Sequence, residues 1–417
     1  MITLDAKNAG LTPGTLGKAC TQNQKHLTKI FQRQKPGAAF LDLPDDQKLV
    51  REIGRFAATQ RKNQWEDIVV LGIGGSALGL IALRDALLPL FGTRPRLRVA
   101  DNIDPAYTHA LFEDLNWAKT LFIVISKSGT TTEPMFLYGL ALERLKKLFP
   151  KNYQTHLVFI TDARHGLLRE LADREGIASF EVPEKVGGRF SVLSAVGLLP
   201  AALAGVDIAG LMRGAKRMRD ILRKTRGAKN PALALATLQH ALDRKHGKTM
   251  TVLMPYSNQL FRVADWYRQL LAESLGKNGH TGPTPINALG TTDQHSQLQL
   301  YEEGPNNKWF IFLRVRRFAH DLKLGKTLPG AMAFLNGKTM GQVLDASVSG
   351  TAQSLTQHGR PNVTIEVPQI DAEHVGELLM LLECQVALLG ELYGVNAFDQ
   401  PGVEASKKIT QKILSRS

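Results

Sequence analysis

Two doubly wound α/β units, each built on a parallel central sheet and flanked by helical segments at the chain ends, are what this sequence predicts. Three observations lead there. Short runs rich in β-branched residues and leucine alternate with helix-length runs, and the alternation occurs twice along the 417 residues. That length suits two or three globular domains. The composition, 43% hydrophobic and 22% charged, is that of ordinary globular chains and allows sizeable cores.

In chain order, residues 1 to about 50 read as a polar, helical leading segment. Asp67 to Ile73 reads as a buried strand, followed by Gly74-Gly75-Ser76 and by helical periodicity from Ala77 to Leu90. Leu97 to Asp101 is a second strand. Thr120 to Ile125 is a third, running into Ser126-Lys127-Ser128-Gly129 and a helix from Glu133 to Leu148. His156 to Thr161 is a fourth. The pattern then restarts, with strands at Lys248 to Met254, Lys308 to Arg316 and Val363 to Val367. Helices are predicted at Asn258 to Leu275, Met340 to Leu355 and Ala372 to Tyr393, and a last one from about Gly402 to Leu414. The two units join near residues 205 to 245. The expected domains are thus 51–205 and 206–400, with 1–50 and 401–417 as helical ends. In such sheets ligands bind beyond the carboxyl ends of the strands.

The net charge of +14 favours anionic partners, small phosphates and nucleic acid alike. The basic residues are scattered, with one modest cluster from Arg213 to Lys229. There is no zinc-finger spacing, heptad pattern or basic–aromatic interleaving, so nucleic acid is not an expected partner. Cys20 and Cys384 are the only cysteines and lie far apart, which fits neither a disulfide framework nor a metal cluster. Met1 to Gly10 carries Asp5 and Lys7 and has no apolar centre, unlike a signal peptide. The longest apolar stretch, Val192 to Val206, is too short to span a bilayer and contains Pro200. A cytoplasmic location, with no membrane association, is the expectation.

Six segments carry chemistry. In Leu71 to Gly79, glycines between a strand and a helix let the backbone approach a ligand, and the helix N-terminus offers amides to an anion. Gly72, Gly74 and Ala77, with Asp101 closing the next strand, also fit a loose dinucleotide fingerprint. In Ser126-Lys127-Ser128-Gly129-Thr130-Thr131-Thr132, five hydroxyls fall within seven residues after an apolar strand. A helix cap needs one or two. Five, with N-terminal amides, can satisfy all the oxygens of a phosphate monoester. A dehydrogenase read from the glycine loop leaves those hydroxyls unexplained.

In Val186 to Ser194, two glycines put Arg189 in a tight loop beside an apolar helix, as a fixed charge for a developing oxyanion or as a cap on helix carbonyls. In Gln269 to Lys277, Gln269 and Glu273 stand four apart and share one helix face. Glu273 falls in the predicted last turn, where the helix dipole disfavours a carboxylate, a setting suited to a general base. Thr291 to Gln297 ends a Gly/Pro-rich loop from Gly279 to Gly290 and places His295 there, as a titratable group or as polar surface. Phe398 to Lys408 combines a turn, a helix start and two lysines; by spacing alone it is an ordinary capped terminal helix.

In order, spacing and residue type, the six segments together resemble the phosphoglucose isomerase family over roughly residues 65 to 410. Val186 to Gly197 is similar to the family's first signature and Phe398 to Lys407 to its second, and both are long and specific. The resemblance implies two sugar-isomerase α/β domains, a homodimer, and reversible interconversion of glucose 6-phosphate and fructose 6-phosphate without metal or redox cofactor. It also implies roles for single residues. Ser126, Ser128, Thr130 and Thr131, with Lys127 and Gly129, resemble the phosphate cradle, and Gly75 and Ser76 the sugar contacts. Gln269 matches a glutamine that touches the phosphate. Glu273 matches the base that moves a proton between C2 and C1, and Arg189 the arginine that stabilises the enediolate. Lys407 matches a lysine associated with the ring oxygen and ring opening. Longer members carry their ring-opening histidine about two turns past His295, where this chain has Tyr301-Glu302. In short bacterial members the segment matching Asp293 to Ser296 supplies it, which points to His295, reaching across from the other subunit.

Overall fold

The computed structural model describes residues 1–32, 36–92 and 94–415. The strands are β1 (Thr3–Asp5), β2 (Asp67–Leu71), β3 (Arg96–Ala100), β4 (Thr120–Ile125), β5 (Leu157–Thr161), β6 (Ala178–Glu181), β7 (Met250–Pro255), β8 (Thr284–Asn287), β9 (Lys308–Arg317) and β10 (Asn362–Gln369). The helices are α1 (Pro13–Phe31), α2 (Gln47–Gln60), α3 (Leu78–Leu87), α4 (Pro105–Glu113), α5 (Thr132–Leu148), α6 (Leu167–Glu175) and α7 (Ala195–Leu203). They continue with α8 (Ile208–Lys224), α9 (Pro231–His246), α10 (Phe261–Leu275), α11 (Leu298–Glu302), α12 (Met340–Gln357), α13 (Ala372–Tyr393) and α14 (Glu404–Leu414).

Two five-stranded sheets form, as the double alternation requires. The first runs β3-β2-β4-β5-β6, all parallel. Every residue of β2, β4 and β5 is buried, which is why these strands read as continuous apolar runs rather than alternating ones. Asp67, buried at the head of β2, is tolerated because Arg96 (Nε 2.8 Å, Nη2 2.7 Å) and Arg98 (Nε 2.8 Å) both donate to its carboxylate. After β2 the chain crosses to β3 on one side and returns to β4 on the other. The loops following β2 and β4 therefore stand side by side at a switch point, with Leu71 opposite Val124.

The second sheet runs β1-β10-β9-β7-β8 and is parallel except for β1, which pairs antiparallel with β10, Thr3 facing Glu366. The leading segment is thus not purely helical and the second sheet not purely parallel. Three residues are too few to show a period of two. The Gly279 to Gly290 stretch likewise holds β8, a four-residue edge strand, where a loop was expected. The shorter elements α4, α6, β6 and α11 also lie beyond the sequence reading.

Residues 205 to 245 are not a simple joint. They form α8 and α9, which pack on α13, and the apolar face of α8 (Leu211, Ala215, Met218, Leu222) is buried. Close approach of the two backbones depends on glycine. A Cβ on Gly214 would stand 1.8 Å from the Glu373 carbonyl oxygen, and one on Gly376 2.0 Å from that of Leu211.

α13 is buried continuously from Val375 to Gly390, including three polar side chains. Glu377 accepts from Ile2 N and Arg217 Nε, and Gln385 bonds Tyr267 and Gln239. Neither carboxyl oxygen of Glu383 has a hydrogen-bond partner, and burial pushes that group well above the usual carboxylate range. The folded state therefore binds the proton more tightly than the unfolded chain does. Stability from this group is full at acid pH and declines as pH rises above the ordinary glutamate value toward the raised one. Glu383→Met is expected to stabilise the protein by about 1–3 kcal/mol near neutrality, because an apolar chain of similar volume removes an unpaired polar group. Thermal midpoints of variant and wild type should differ more at pH 8 than at pH 5; an equal or inverted difference contradicts the assignment.

Candidate active site

The glycine loop after β2 turns through Gly74–Ser76 and enters α3. Its closest neighbour is the Gly187-Gly188-Arg189 loop. A Cβ on Gly75 would lie 2.3 Å from the Gly188 carbonyl carbon and 2.7 Å from Arg189 N, so only glycine lets these loops touch. A Cβ on Gly74 would lie 3.1 Å from Gln269 Nε2, which sets the same loop against α10.

Arg189 is the centre of this contact. Its guanidinium is almost fully buried. Nε donates to Ser274 Oγ (2.7 Å), Nη2 to the carbonyls of Ala397 (2.7 Å) and Asp399 (2.9 Å), and Nη1 to Gln400 Oε1 (3.0 Å). Nη1 also stands 3.3 Å from Glu273 Oε1. Burial lowers the proton affinity of the guanidinium, and Glu273 and Asp399 act in the opposite direction. An arginine stays charged under such conditions, so the side chain is a fixed cation in a dry setting.

α10 brings the next groups in. Gln269 and Glu273 share one face, as their spacing requires, and Gln269 Nε2 donates to Glu273 Oε2 at 2.9 Å. Ser274, one residue on, holds Arg189 from the same helix. The Gln269 Oε1 atom is buried without a partner. Glu273 keeps about a quarter of its side chain exposed, enough to meet a ligand.

The hydroxyl loop follows β4. Ser126 is buried and its Oγ donates to Thr131 Oγ1 (3.1 Å). Ser128 Oγ accepts from both N and Oγ1 of Thr130 (3.2 and 2.9 Å). Thr131 is the N-cap residue of α5, yet no cap bond to the helix amides is formed by its side chain. The α5 N-terminus therefore faces the loop with its dipole and without a side-chain cap, an arrangement suited to an anion. Lys127 Nζ donates instead to the carbonyls of Pro183 (3.4 Å), Glu184 (2.6 Å) and Val186 (3.4 Å). Its ammonium thus holds the loop that leads to Arg189. Gly129 and Ser76 complete the two loops.

Arg189, Gln269, Glu273 and the Gly75 loop are in contact, whereas His295 and Lys407 stand apart. His295 is exposed after β8, on a turn tied by Asp293 to Leu289 N (2.6 Å) and Ser296 Oγ (2.5 Å). Lys407 is exposed on α14 and pairs with Glu404 (2.9 Å). Every residue of α14 is exposed. Sequence reasoning passed over Ser274 and Gln400 as partners of Arg189, although both lie inside segments it singled out.

A cleft of about 660 Å³ opens between Lys127, Gly187, Gly188, Phe398 and Gln400. A groove of similar size, about 640 Å³, lies between α4 and α5, but none of the residues above lines it. Among the described residues, no group of three or more His, Cys, Asp or Glu could hold a metal ion. Nor, among them, is any helix long and apolar enough to cross a membrane.

Comparison with known proteins decides the lineage. The family model for phosphoglucose isomerase matches residues 51–417. The chain belongs to the phosphoglucose isomerase family. A relative from Rubrobacter xylanophilus, named glucose-6-phosphate isomerase, is 42% identical and covers 100% of this chain and 98% of its own. One of the same name from Carboxydothermus hydrogenoformans is 41% identical, over 92% of this chain and 86% of its own. Among solved structures, a hypothetical protein from Thermus thermophilus superposes with a TM-score of 0.93 at 35% identity, covering 99% of this chain and 100% of that one. The phosphoglucose isomerase match starts at residue 51, so β1, α1 and the turn before α2 precede it, although β1 completes the second sheet.

Proposed function

We propose that this chain interconverts glucose 6-phosphate and fructose 6-phosphate through an enediolate, as a cytoplasmic enzyme whose two α/β domains span residues 51–205 and 206–400. One observation carries the reading. A carboxylate, Glu273, lies 3.3 Å from a buried, multiply anchored guanidinium, Arg189, which the glycine loop after β2 touches. A base beside a fixed cation is what abstraction of a proton alpha to a carbonyl needs.

In this reading Ser126, Ser128, Thr130, Thr131 and the α5 N-terminus hold the phosphate, and its remote binding energy positions the reacting carbons. The Gly75–Ser76 loop meets the sugar. His295 and Lys407 open the ring. Glu273 takes the C2 proton, the electron pair moves onto the carbonyl oxygen, and the enediolate oxygen faces Nη1 of Arg189. Transfer of the hydroxyl proton from O2 to O1, with return of the carbon-bound proton to C1, leaves the ketone at C2 and completes the isomerisation, and the reverse sequence runs equally. The test is turnover of fructose 6-phosphate by purified protein in a coupled assay. Absence of turnover with correctly folded protein rejects the reading.

His295 and α14 are exposed in the single chain, which supports a site completed by a second subunit. In a homodimer whose histidine crosses over, mixing inactive Glu273→Gln with inactive His295→Ala subunits restores activity. Each mixed dimer holds one site with both defects and one with none. Random exchange makes about half of the dimers mixed, so about a quarter of wild-type activity per site is expected. Subunit exchange confirmed by mass, with no recovered turnover, rejects the crossing histidine.

A further inference from the structure

The loop that anchors Arg189 is itself held by a cation that the mechanism does not use. Lys277 lies two residues beyond the end of α10, four after Glu273. Its backbone is fixed by two bonds with Thr281, N to O at 2.8 Å and O to N at 3.1 Å. Its side chain is only 10% exposed, and Nζ donates to the Asp399 carbonyl (2.6 Å) and the Asp399 carboxylate (3.0 Å). That same carbonyl accepts from Arg189 Nη2 at 2.9 Å. Asn396 Nδ2 donates to the other carboxylate oxygen (2.8 Å). The 396–400 segment thus supplies three acceptors to Arg189 and is pinned in turn by Lys277.

Given the isomerase reading above, we propose that Lys277 is a positioning residue for the reaction. It clamps the end of the base helix to the 396–400 loop, and so fixes Nη1 of Arg189 relative to the Glu273 carboxylate. Two cations share the Asp399 carbonyl, and two carboxylates balance two cations within the cluster. Without Lys277 the loop loses an anchor placed by α10 itself, and Asp399 becomes an uncompensated anion beside Arg189, competing with the enediolate for its charge. The effect reaches the chemical step, since a small misplacement of a reacting group can cost about 10²-fold in rate. It does not reach the hydroxyl loop, to which Lys277 makes no bond.

The experiment compares Lys277→Met, Lys277→Arg and Asp399→Asn with wild type in full-length protein. Wild-type turnover, measured in parallel, tests the activity separately from the role of Lys277. In Lys277→Met, kcat should fall about 10- to 100-fold with KM for fructose 6-phosphate within about twofold. Binding of a sugar-acid phosphate, whose carboxylate imitates the enediolate, should weaken in step with kcat, while affinity for inorganic phosphate holds. Lys277→Arg, able to reach both Asp399 oxygens, should recover most of the loss. Asp399→Asn, which keeps the shared carbonyl, should lose less than Lys277→Met. Unchanged kcat and analogue binding in Lys277→Met overturn the proposal. So does a loss shared equally by phosphate and the sugar-acid phosphate, which would mark a general structural role. If Lys277→Met fails to fold, the ranking of Lys277→Arg above Asp399→Asn in kcat carries the test, and the reverse ranking overturns it.

Discussion

Glu273→Gln should bind sugar phosphates as wild type does and lose about 10²- to 10⁴-fold in kcat, the share a well-placed base contributes. The local structure can absorb the change. Glu273 now accepts from Gln269 Nε2 (2.9 Å) and faces Arg189 Nη1 (3.3 Å). An amide at 273 can keep its oxygen toward Arg189 and turn its NH₂ toward Gln269. Gln269 can answer by flipping, because its Oε1 has no partner to give up. The flip leaves one amide atom of Gln269 buried without a partner, as in wild type, with Nε2 in place of Oε1, so the thermal midpoint should stay close to that of wild type. Exchange of the C2 proton with solvent, followed by proton resonance in deuterated buffer, should vanish along with turnover. Near-normal exchange in this variant would remove Glu273 from the role.

Arg189→Lys should cost about 10²- to 10³-fold in kcat, the range seen when one preorganised oxyanion donor is lost. The substitution keeps the charge but not the fork. One ammonium has three donors and cannot serve Ser274, Gln400, and the Ala397 and Asp399 carbonyls while facing Glu273. Acceptors left without a donor in a buried setting cost about 1–3 kcal/mol each, so the thermal midpoint should fall as well. That sets it apart from Glu273→Gln, whose defect is chemical alone. KM should change less than kcat, because the hydroxyls proposed to hold the phosphate belong to another loop. A variant with wild-type kcat and a lowered midpoint would make Arg189 structural only.

The parts of this protein written locally were legible in the sequence. β4 and α13 fall on their predicted ends, since an unbroken apolar strand and a long helix announce themselves over six and twenty-two residues. The shared face of Gln269 and Glu273 follows from helical geometry, and the hydroxyl cluster before α5 is plain in the sequence, whereas the absence of a side-chain cap at Thr131 is not. Three-residue β1 left no periodic trace, and α8 was read as part of a joint because only its packing on α13 gives its apolar face a purpose.

The surroundings of the site were decided in three dimensions. Lys127, grouped by sequence with the hydroxyls, spends its ammonium on carbonyls 56 to 59 residues away. Arg189 could be a helix cap or an oxyanion donor as far as its own segment goes. Its actual partners are Ser274, 85 residues on, and Gln400, 211 residues on, together with Glu273 facing Nη1. The sequence by itself determined the longer strands and helices and the glycine- and hydroxyl-rich turns between them, because propensity and periodicity act over a few residues. Only the tertiary structure decided which donor meets which acceptor at the carboxyl ends of the strands. Those pairings depend on chain segments brought together by burial of the cores, and no local rule encodes them.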